Sequence, residues 1–282
     1  MTPVSSFAWG FAGHRLIMRR AIDLLPQELK PFFDRHRDEI VMRVVDPDLW
    51  RNVGFDDNPH HFIDFGVPEY GPYPFTALPR EYGAAVEKFG ITLLRGYGLL
   101  PWRQAEQFGQ LGREFVELKR GAPYTVSNIV LFSAVASHYV QDGYQPFHAT
   151  DNYDGVKTGN RGIHARFERD LIEKFESRLR LTPAPARPMA NPRDAAFESV
   201  LAGFQLVDPI LKADREAAAG RDTYDDVYFE QFFAAVQPLL ERQLSGAITA
   251  TASTILGAWD QAGRPTVRVA DVRPAERVQR PR

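Results

Sequence analysis

The stretch SHYVQDGYQPFHATDNYDGVKTGNRGIHARFE, residues 137–168, holds three of the chain's seven histidines and places two of them four residues before an acid. The pairs are His138 with Asp142 and His164 with Glu168. Residues four apart share one face of a helix, with Cβ atoms about 5–6 Å apart. The spacing therefore predicts two helices, each offering one histidine–acid pair to an ion.

Between the pairs, Pro146 predicts the end of the first helix and places His148 in a turn. Imidazole nitrogen mixed with carboxylate oxygen, and no sulfur, suits zinc in a catalytic rather than a structural site. The chain has no cysteine, which excludes disulfides, thiolate metal sites and cysteine nucleophiles. The stretch therefore predicts a metal site with nitrogen and oxygen ligands.

The composition is that of a globular protein with a sizeable core, since 44% of the 282 residues are hydrophobic. The 34 basic and 36 acidic residues leave a net charge of −2, so no overall field favours nucleic acid or an anionic membrane as partner. No apolar run approaches the roughly 18 residues of a membrane span, and we expect no stable membrane insertion.

Helical spacing of apolar residues continues along most of the chain. It predicts helices at 10–25, 27–45, 80–97, 101–120, 124–142, 161–179, 191–218 and 224–260. Residues 46–79 are rich in proline and glycine and are predicted as a long, functional loop. Few stretches alternate with strand period. We predict an all-α fold, a single multi-helix domain over 9–262, with the metal site between its helices and this N-terminal loop.

The two ends differ from the domain. Residues 1–8 finish in Ser6-Phe7-Ala8, the small-x-small pattern of a signal peptidase site, without the charged and apolar regions expected upstream. We interpret them as a signal-peptide remnant, which predicts a secreted or periplasmic protein; an ordinary N-terminus is the alternative. Residues 263–282 are rich in arginine and proline and predict a basic, disordered tail, or alternatively a contact to anionic lipid or nucleic acid.

Taken together, these residues resemble the zinc-dependent phospholipase C family and its relative, the fungal single-strand-specific nuclease and 3'-nucleotidase family. The likeness covers about 160 positions, which makes it far more specific than any single motif. It is carried by Trp9-Gly10, His14, an aspartate of VDPDLWR, His61 in HHFID, His138, Asp142, the QPFH of 145–148, His164 and Glu168.

The resemblance implies a site of three zinc ions. By it, one ion is held by His148, His164 and Glu168, and a second by Asp48, His61, His138 and Asp142. The third is held by Trp9 and His14, with Asp142 bridging to it. The family uses the free α-amino group and carbonyl of an N-terminal tryptophan, which would give the junction before Trp9 a chemical meaning. The matching aspartate of the phospholipases orients or deprotonates the attacking water, a role that falls here to Asp48.

Three assignments stay open at this point. Asp46 competes with Asp48 as ligand, although Arg51 follows Asp48 at the three-residue spacing of the nuclease family. His60 adjoins His61, which precedes the Phe-Ile-Asp that the nuclease family shows after its ligand. Asp64 is a further candidate, for orienting a ligand histidine from behind.

The resemblance implies a zinc-dependent phosphodiesterase that uses metal-activated water. Glu168 as last ligand and the lack of cysteine favour phospholipase C-type cleavage of phospholipid head groups; the alternative is a single-strand-specific nuclease or 3'-nucleotidase. The candidate aromatics for stacking bases or meeting a lipid interface are Tyr70, Tyr73, Phe75 and Tyr153. We expect a monomer. A non-catalytic zinc-binding protein is the alternative outside enzymes. An HD-type phosphohydrolase is set aside, because no histidine is followed by aspartate.

Overall fold

The computed structural model describes residues 9–54 and 56–270. Within these ranges every regular element is helical, and the helices form one all-α domain. The α-helices are α1 (Gly10–Asp23), α2 (Lys30–Arg35), α3 (Arg37–Arg43), α4 (Asp46–Asn52), α5 (Tyr82–Phe89), α6 (Ile91–Tyr97), α7 (Leu100–Lys119), α8 (Thr125–Asp142), α9 (Ile163–Ala165), α10 (Leu171–Phe175), α11 (Pro192–Ala218) and α12 (Asp226–Gln261). A π-helical turn, Arg166–Asp170, joins α9 to α10. Single 3-10 turns lie at Asn58–His60, Pro68–Tyr70, Pro146–Ala149, Val156–Thr158 and Glu176–Arg178.

The core is built on four long helices, α7, α8, α11 and α12, which pack against one another, while α1 packs on α8 and α12. Helix α8 is buried on nearly every side, because small and apolar residues such as Ile129 and Ala136 occupy all its faces. A helix of that composition belongs in the centre of a domain. Its last turns carry His138 and Asp142, which are therefore removed from water by the same packing.

The prediction of a loop throughout 46–79 is wrong for its first seven residues, which form α4. Pro47 lies in the first turn of this helix, where its missing N–H has no helical acceptor to lose. Asp46 and Asp48 lie in the same turn, where negative charge complements the helix dipole. Helix α4 packs on α8 and so holds Asp48 against it.

Two predicted helices are broken where the backbone leaves helical geometry, and a third changes its helical type. The segment predicted at 27–45 divides into α2 and α3 at His36, with φ −105° and ψ 11°. The segment predicted at 80–97 divides into α5 and α6 at Gly90, whose φ of 75° suits glycine. The segment at 161–179 is helical but passes through the π turn, which widens the backbone between His164 and the residues after it.

The described chain continues beyond residue 262. Trp259 Nε1 donates a hydrogen bond to the Pro265 carbonyl at 2.9 Å, so part of the predicted tail, 263–270, packs on α12. The predicted signal remnant, 1–8, and the rest of the tail, 271–282, lie outside the described residues. Among the described helices, none combines the length and apolarity needed to span a membrane.

Candidate metal centre

The first group of possible metal ligands joins α4, the loop after it and α8. It consists of Asp48, His61 and His138, all buried. His61 Nδ1 lies 3.1 Å from His138 Nε2. Asp48 Oδ1 lies 3.8 Å from the former atom and 3.9 Å from the latter. The three side chains thus converge on one point, which a single ion could occupy.

A second group joins α1 to the end of α8 and consists of His14, His138 and Asp142. Asp142 Oδ1 lies 3.5 Å from His14 Nε2, and Asp142 Oδ2 lies 3.4 Å from His138 Nε2. The rings of His14 and His138 stack with centroids 4.3 Å apart. Asp142 Oδ2 is also 3.0 Å from Nδ1 of His61. The first two groups are therefore neighbours that share His138 and meet at Asp142.

The third group consists of His148, His164 and Glu168. His164 Nε2 lies 2.9 Å from Glu168 Oε2, and the His148 ring meets the His164 ring edge-on with centroids 5.0 Å apart. Glu168 Oε2 also accepts hydrogen bonds from the Gln145 side chain at 2.8 Å and from the Trp9 backbone N–H at 3.1 Å. The histidine–acid pair predicted by spacing is thus formed, with His164 on the short helix α9 and Glu168 on the π turn that follows it.

Two of the histidines are oriented by oxygen acceptors behind them. His138 Nδ1 donates to the Val44 carbonyl at 2.8 Å, and His14 Nδ1 donates to Gln141 Oε1 at 2.6 Å. Because these oxygens only accept, the donating nitrogen carries the ring hydrogen and the other nitrogen carries a lone pair. That second nitrogen, Nε2 in both rings, is the one that faces Asp142.

His148 and His61 follow the same rule. His148 Nδ1 donates to the carbonyl of His61. His61 Nε2 lies 3.1 Å from Asp57 Oδ2, and with its hydrogen on that nitrogen it donates to Asp57 and leaves Nδ1 for the group. Asp57 also accepts from the Tyr139 hydroxyl at 2.6 Å and from His60 Nδ1 at 2.8 Å. A histidine with its outer N–H on a carboxylate or carbonyl is the usual arrangement of a metal ligand, since it fixes both the tautomer and the ring direction.

The inner atoms of the first group fit a cation. When the outer nitrogens of both rings donate, His61 Nδ1 and His138 Nε2 present lone pairs to each other at 3.1 Å and to the Asp142 carboxylate, and a proton or a metal ion between them removes the repulsion. Oδ2 of Asp48 is buried and makes no hydrogen bond to any described residue. Buried, unsatisfied acceptors are costly, whereas a metal ion would satisfy them all.

Burial also sets the protonation of the ligand set. Burial raises the pKa of Asp48 to about 7 and the pKa of Asp142 to about 6. Burial lowers the pKa of His138, and lowers the pKa of His148 well below its ordinary value. Neutral imidazole is the form that binds metal, and a cation would offset the desolvation of the two carboxylates.

Two pairs of residues competed as candidate ligands in the sequence, Asp48 with Asp46 and His61 with His60, and the two members of each pair lie in different surroundings. Asp48 is fully buried in the first group, whereas Asp46 is partly exposed and pairs with an arginine of α3. His61 points into the group, whereas His60 points away from it toward Asp57.

Trp9 lies beside the third group as well as near His14. Its Nε1 donates to the Gln141 carbonyl at 2.7 Å, so it braces the residue that orients His14. Its backbone nitrogen donates to Glu168 and, as a peptide N–H, has no lone pair for a metal. In the chain as it stands, Trp9 is a hydrogen-bonding residue at the edge of the centre.

The residue behind His61, Asp57, was not predicted from the sequence. Asp57 makes the contact for which Asp64 was the candidate, while Asp64 faces the charge of Asp151 instead. Asp57 precedes His61 by four residues, the same spacing that identified the other histidine–acid pairs with the order reversed. The four-residue spacing of Asp57 and His61 could have identified this pair, but Pro59 between them argued against a helix over these residues.

No protein-family model matches the chain, and no curated protein matches it. The fold and the site nevertheless define a class: an all-α domain in which three buried histidine and carboxylate groups could each hold a metal ion. Two of these groups share a ligand, so ions bound there would be close neighbours.

Proposed function

We propose that this protein is a zinc-dependent phosphodiesterase that cleaves phospholipid head groups in the manner of phospholipase C. The observation that supports it best is the sharing of ligands. His138 belongs to two groups and Asp142 faces both, which supports a centre of neighbouring ions rather than a single structural ion. Closely spaced ions suit in-line displacement at phosphorus, and the nitrogen and oxygen donors suit zinc.

Bound zinc would supply a water with its pKa lowered to about 7 and positive charge for the phosphate and leaving oxygens. Asp142 would bridge, since its two oxygens face different histidines. Asp48 would orient or deprotonate the water with Oδ2, the oxygen that makes no hydrogen bond within the described chain. Arg51 lies 3.4 Å from Asp48 Oδ1 and brings a guanidinium suited to a phosphate oxygen.

Phospholipid as substrate is supported by two sequence features, Glu168 as last ligand and the lack of cysteine. The exposed aromatic residues support a second candidate. Of the aromatic candidates, Tyr70 and Phe75 are buried, whereas Tyr73 and Tyr153 are exposed. The Tyr153 ring lies edge-on to His164 with centroids 6.2 Å apart. An exposed ring at that distance from the third group could stack a base, which favours a single-strand-specific nuclease or 3'-nucleotidase as the second candidate.

The test is a paired hydrolysis assay of zinc-loaded protein, both as the full chain and beginning at Trp9. It offers phosphatidylcholine vesicles and single-stranded DNA at one pH. We expect phosphocholine to be released faster than DNA is cut, and Tyr153→Ala to slow DNA cleavage no more than it slows phosphocholine release. Faster DNA cleavage that Tyr153→Ala abolishes would select the nuclease. Bound zinc without either activity would leave a zinc-binding protein.

The cellular setting belongs to the same proposal. We propose that the protein acts outside the cytoplasm, secreted or periplasmic, because cleavage after Ser6-Phe7-Ala8 would leave Trp9 with a free amino group. A free amine, unlike the peptide N–H, carries a lone pair for a metal. N-terminal sequencing of the protein recovered from its native source tests this, with Trp9 as the expected first residue.

A further inference from the structure

One histidine of the centre makes no hydrogen bond through the ring nitrogen that does not face Glu168. His164 is buried, and its Nδ1 has no hydrogen-bond partner within the described residues. The other four histidines of the groups each donate from the ring nitrogen that points outward. His164 therefore depends on its backbone and on packing, which consists of aromatic contacts with Phe147, His148 and Tyr153.

The backbone beside His164 is held by a buried arginine. Arg166, the first residue of the π turn, lies between His164 and Glu168 in sequence and is only 5% exposed. Its NH2 donates to both carboxylate oxygens of Asp214 on α11, at 2.9 and 3.0 Å. Its Nε donates to the hydroxyl of Tyr228 on α12 at 3.0 Å.

The same guanidinium also fixes the chain that leads into the ligands. Its NH1 donates to the Arg161 carbonyl at 2.8 Å, and its NH2 to the Asn160 carbonyl at 3.2 Å. The Asn160 side chain in turn donates to Asp214 Oδ2 at 2.6 Å. Asp214 is 2% exposed and Tyr228 is fully buried, so water cannot replace these partners.

We propose that Arg166, Asp214 and Tyr228 position the third metal group, acting through the backbone that carries His164 and Glu168. They make that group dependent on α11 and α12, two helices that supply none of the candidate ligands. A fork-shaped guanidinium gripping a buried carboxylate fixes direction as well as distance, which a flexible lysine would not. The proposal rests on the proposed function only in taking the third group to hold a metal ion.

The test measures zinc retained by the full chain against a competing chelator, alongside the melting temperature. We expect Asp214→Asn to weaken the binding of one zinc ion by up to about 10-fold, the low end of the effect of removing a partner that contacts a ligand directly, because Asp214 acts through the backbone. Tyr228→Phe, which removes only a hydroxyl, should weaken the same ion less while the protein stays folded. The control is Glu230→Gln. Glu230 lies on α12, and its exposed carboxylate accepts hydrogen bonds from Arg178, so this variant also removes an arginine–carboxylate pair.

Combining Asp214→Asn with His164→Ala shows whether the lost zinc belongs to the third group. His164→Ala should lose one ion, and adding Asp214→Asn to it should lose no more, because both changes act on one site. The inference is overturned if Asp214→Asn and Tyr228→Phe lower the melting temperature with zinc retention unchanged, or if the double variant loses a further ion. If His164→Ala holds as much zinc as the unaltered protein, the third group binds no metal and that part of the proposed function fails instead.

Discussion

Asp142 is the residue on which the two neighbouring groups depend. Its Oδ1 faces His14 at 3.5 Å and its Oδ2 faces His61 at 3.0 Å. Asp142→Asn replaces one oxygen by an NH2 group that cannot bind a cation. We expect two ions to be lost and turnover to fall by more than about 100-fold, beyond the usual effect of an outer partner. Zinc analysis and the hydrolysis assay check this, with the exposed Asp208→Asn as control; unchanged turnover would remove the bridging role.

Asp57 acts one step further out. Burial opposes its ionisation, but hydrogen bonds from His60, His61 and Tyr139 outweigh burial and hold the pKa of Asp57 well below its ordinary value. Asp57→Asn weakens the acceptor that fixes the His61 tautomer, so zinc affinity at the first group should fall by about 10- to 100-fold. Chelator competition measures it. The matched control is Asp56→Asn, whose side chain is 78% exposed; equal effects of both would contradict the assignment.

Asp64 gives a pH-dependent prediction away from the ligands. Burial and then the charge of Asp151 raise the pKa of Asp64 to about 7, with Lys157 opposing them; Tyr70 and Tyr97 are its other titratable neighbours. A raised carboxyl pKa means that the folded state binds more protons, so stability falls as pH rises from about 4 to 7. Asp64→Asn should lose this component and be more stable than the unaltered protein at pH 8, by about 1–2 kcal/mol after allowance for partial exposure. Urea unfolding of both proteins at pH 5 and 8 checks it; parallel pH profiles would contradict it.

At the scale of elements, period and spacing predicted most helices and both histidine–acid pairs, because those signals are local. Helix α4 was not predicted, because proline breaks the interior of a helix but is favoured in its first turn, where Pro47 lies. The π turn was not predicted either. It is held by Arg166 and its partners on α11 and α12, which no local pattern reveals.

The loop that carries His61 is held by the turn between α6 and α7. Leu100 N–H donates to the Phe62 carbonyl at 3.1 Å, and a Cβ on Gly98 would lie 2.1 Å from that same carbonyl oxygen, with φ already at 93°. Gly98→Ala must therefore displace the loop, and we expect a loss of about 2–4 kcal/mol in unfolding free energy together with weaker zinc binding.

The matched control for Gly98 lies two residues earlier, within α6. A Cβ on Gly96 meets nothing within 4 Å, so Gly96→Ala should be neutral or stabilising by about 0.5–1 kcal/mol. Denaturant unfolding and zinc competition measure both variants. A mild Gly98→Ala variant with normal zinc binding would show that the turn does not hold the His61 loop.

At the scale of the whole molecule, residue spacing did not predict which distant residues form each metal group. His14 and Asp142 are far apart in the chain, and only the packing of α1 on α8 brings them together. The resemblance supplied that pairing, whereas spacing alone supplied only the pairs within one helix. The sharing of His138 between two groups emerges from the fold, because its Nε2 faces both Asp48 and Asp142.

Metal removal tests this long-range organisation. Bound ions would tie α1, α4 and the His61 loop to α8, and an ion at 1,000 times its dissociation constant adds about 4 kcal/mol of stability. For a domain of this size that corresponds to about 8–16 °C in melting temperature, so chelation should lower it by at least this much. The circular dichroism of the helices should persist below the transition, since the core of α7, α8, α11 and α12 is apolar in its own right. Chelator should shift Asp142→Asn less, because fewer ions remain to be removed; an equal melting temperature with and without chelator in the unaltered protein would mean that the three groups hold no structural cation.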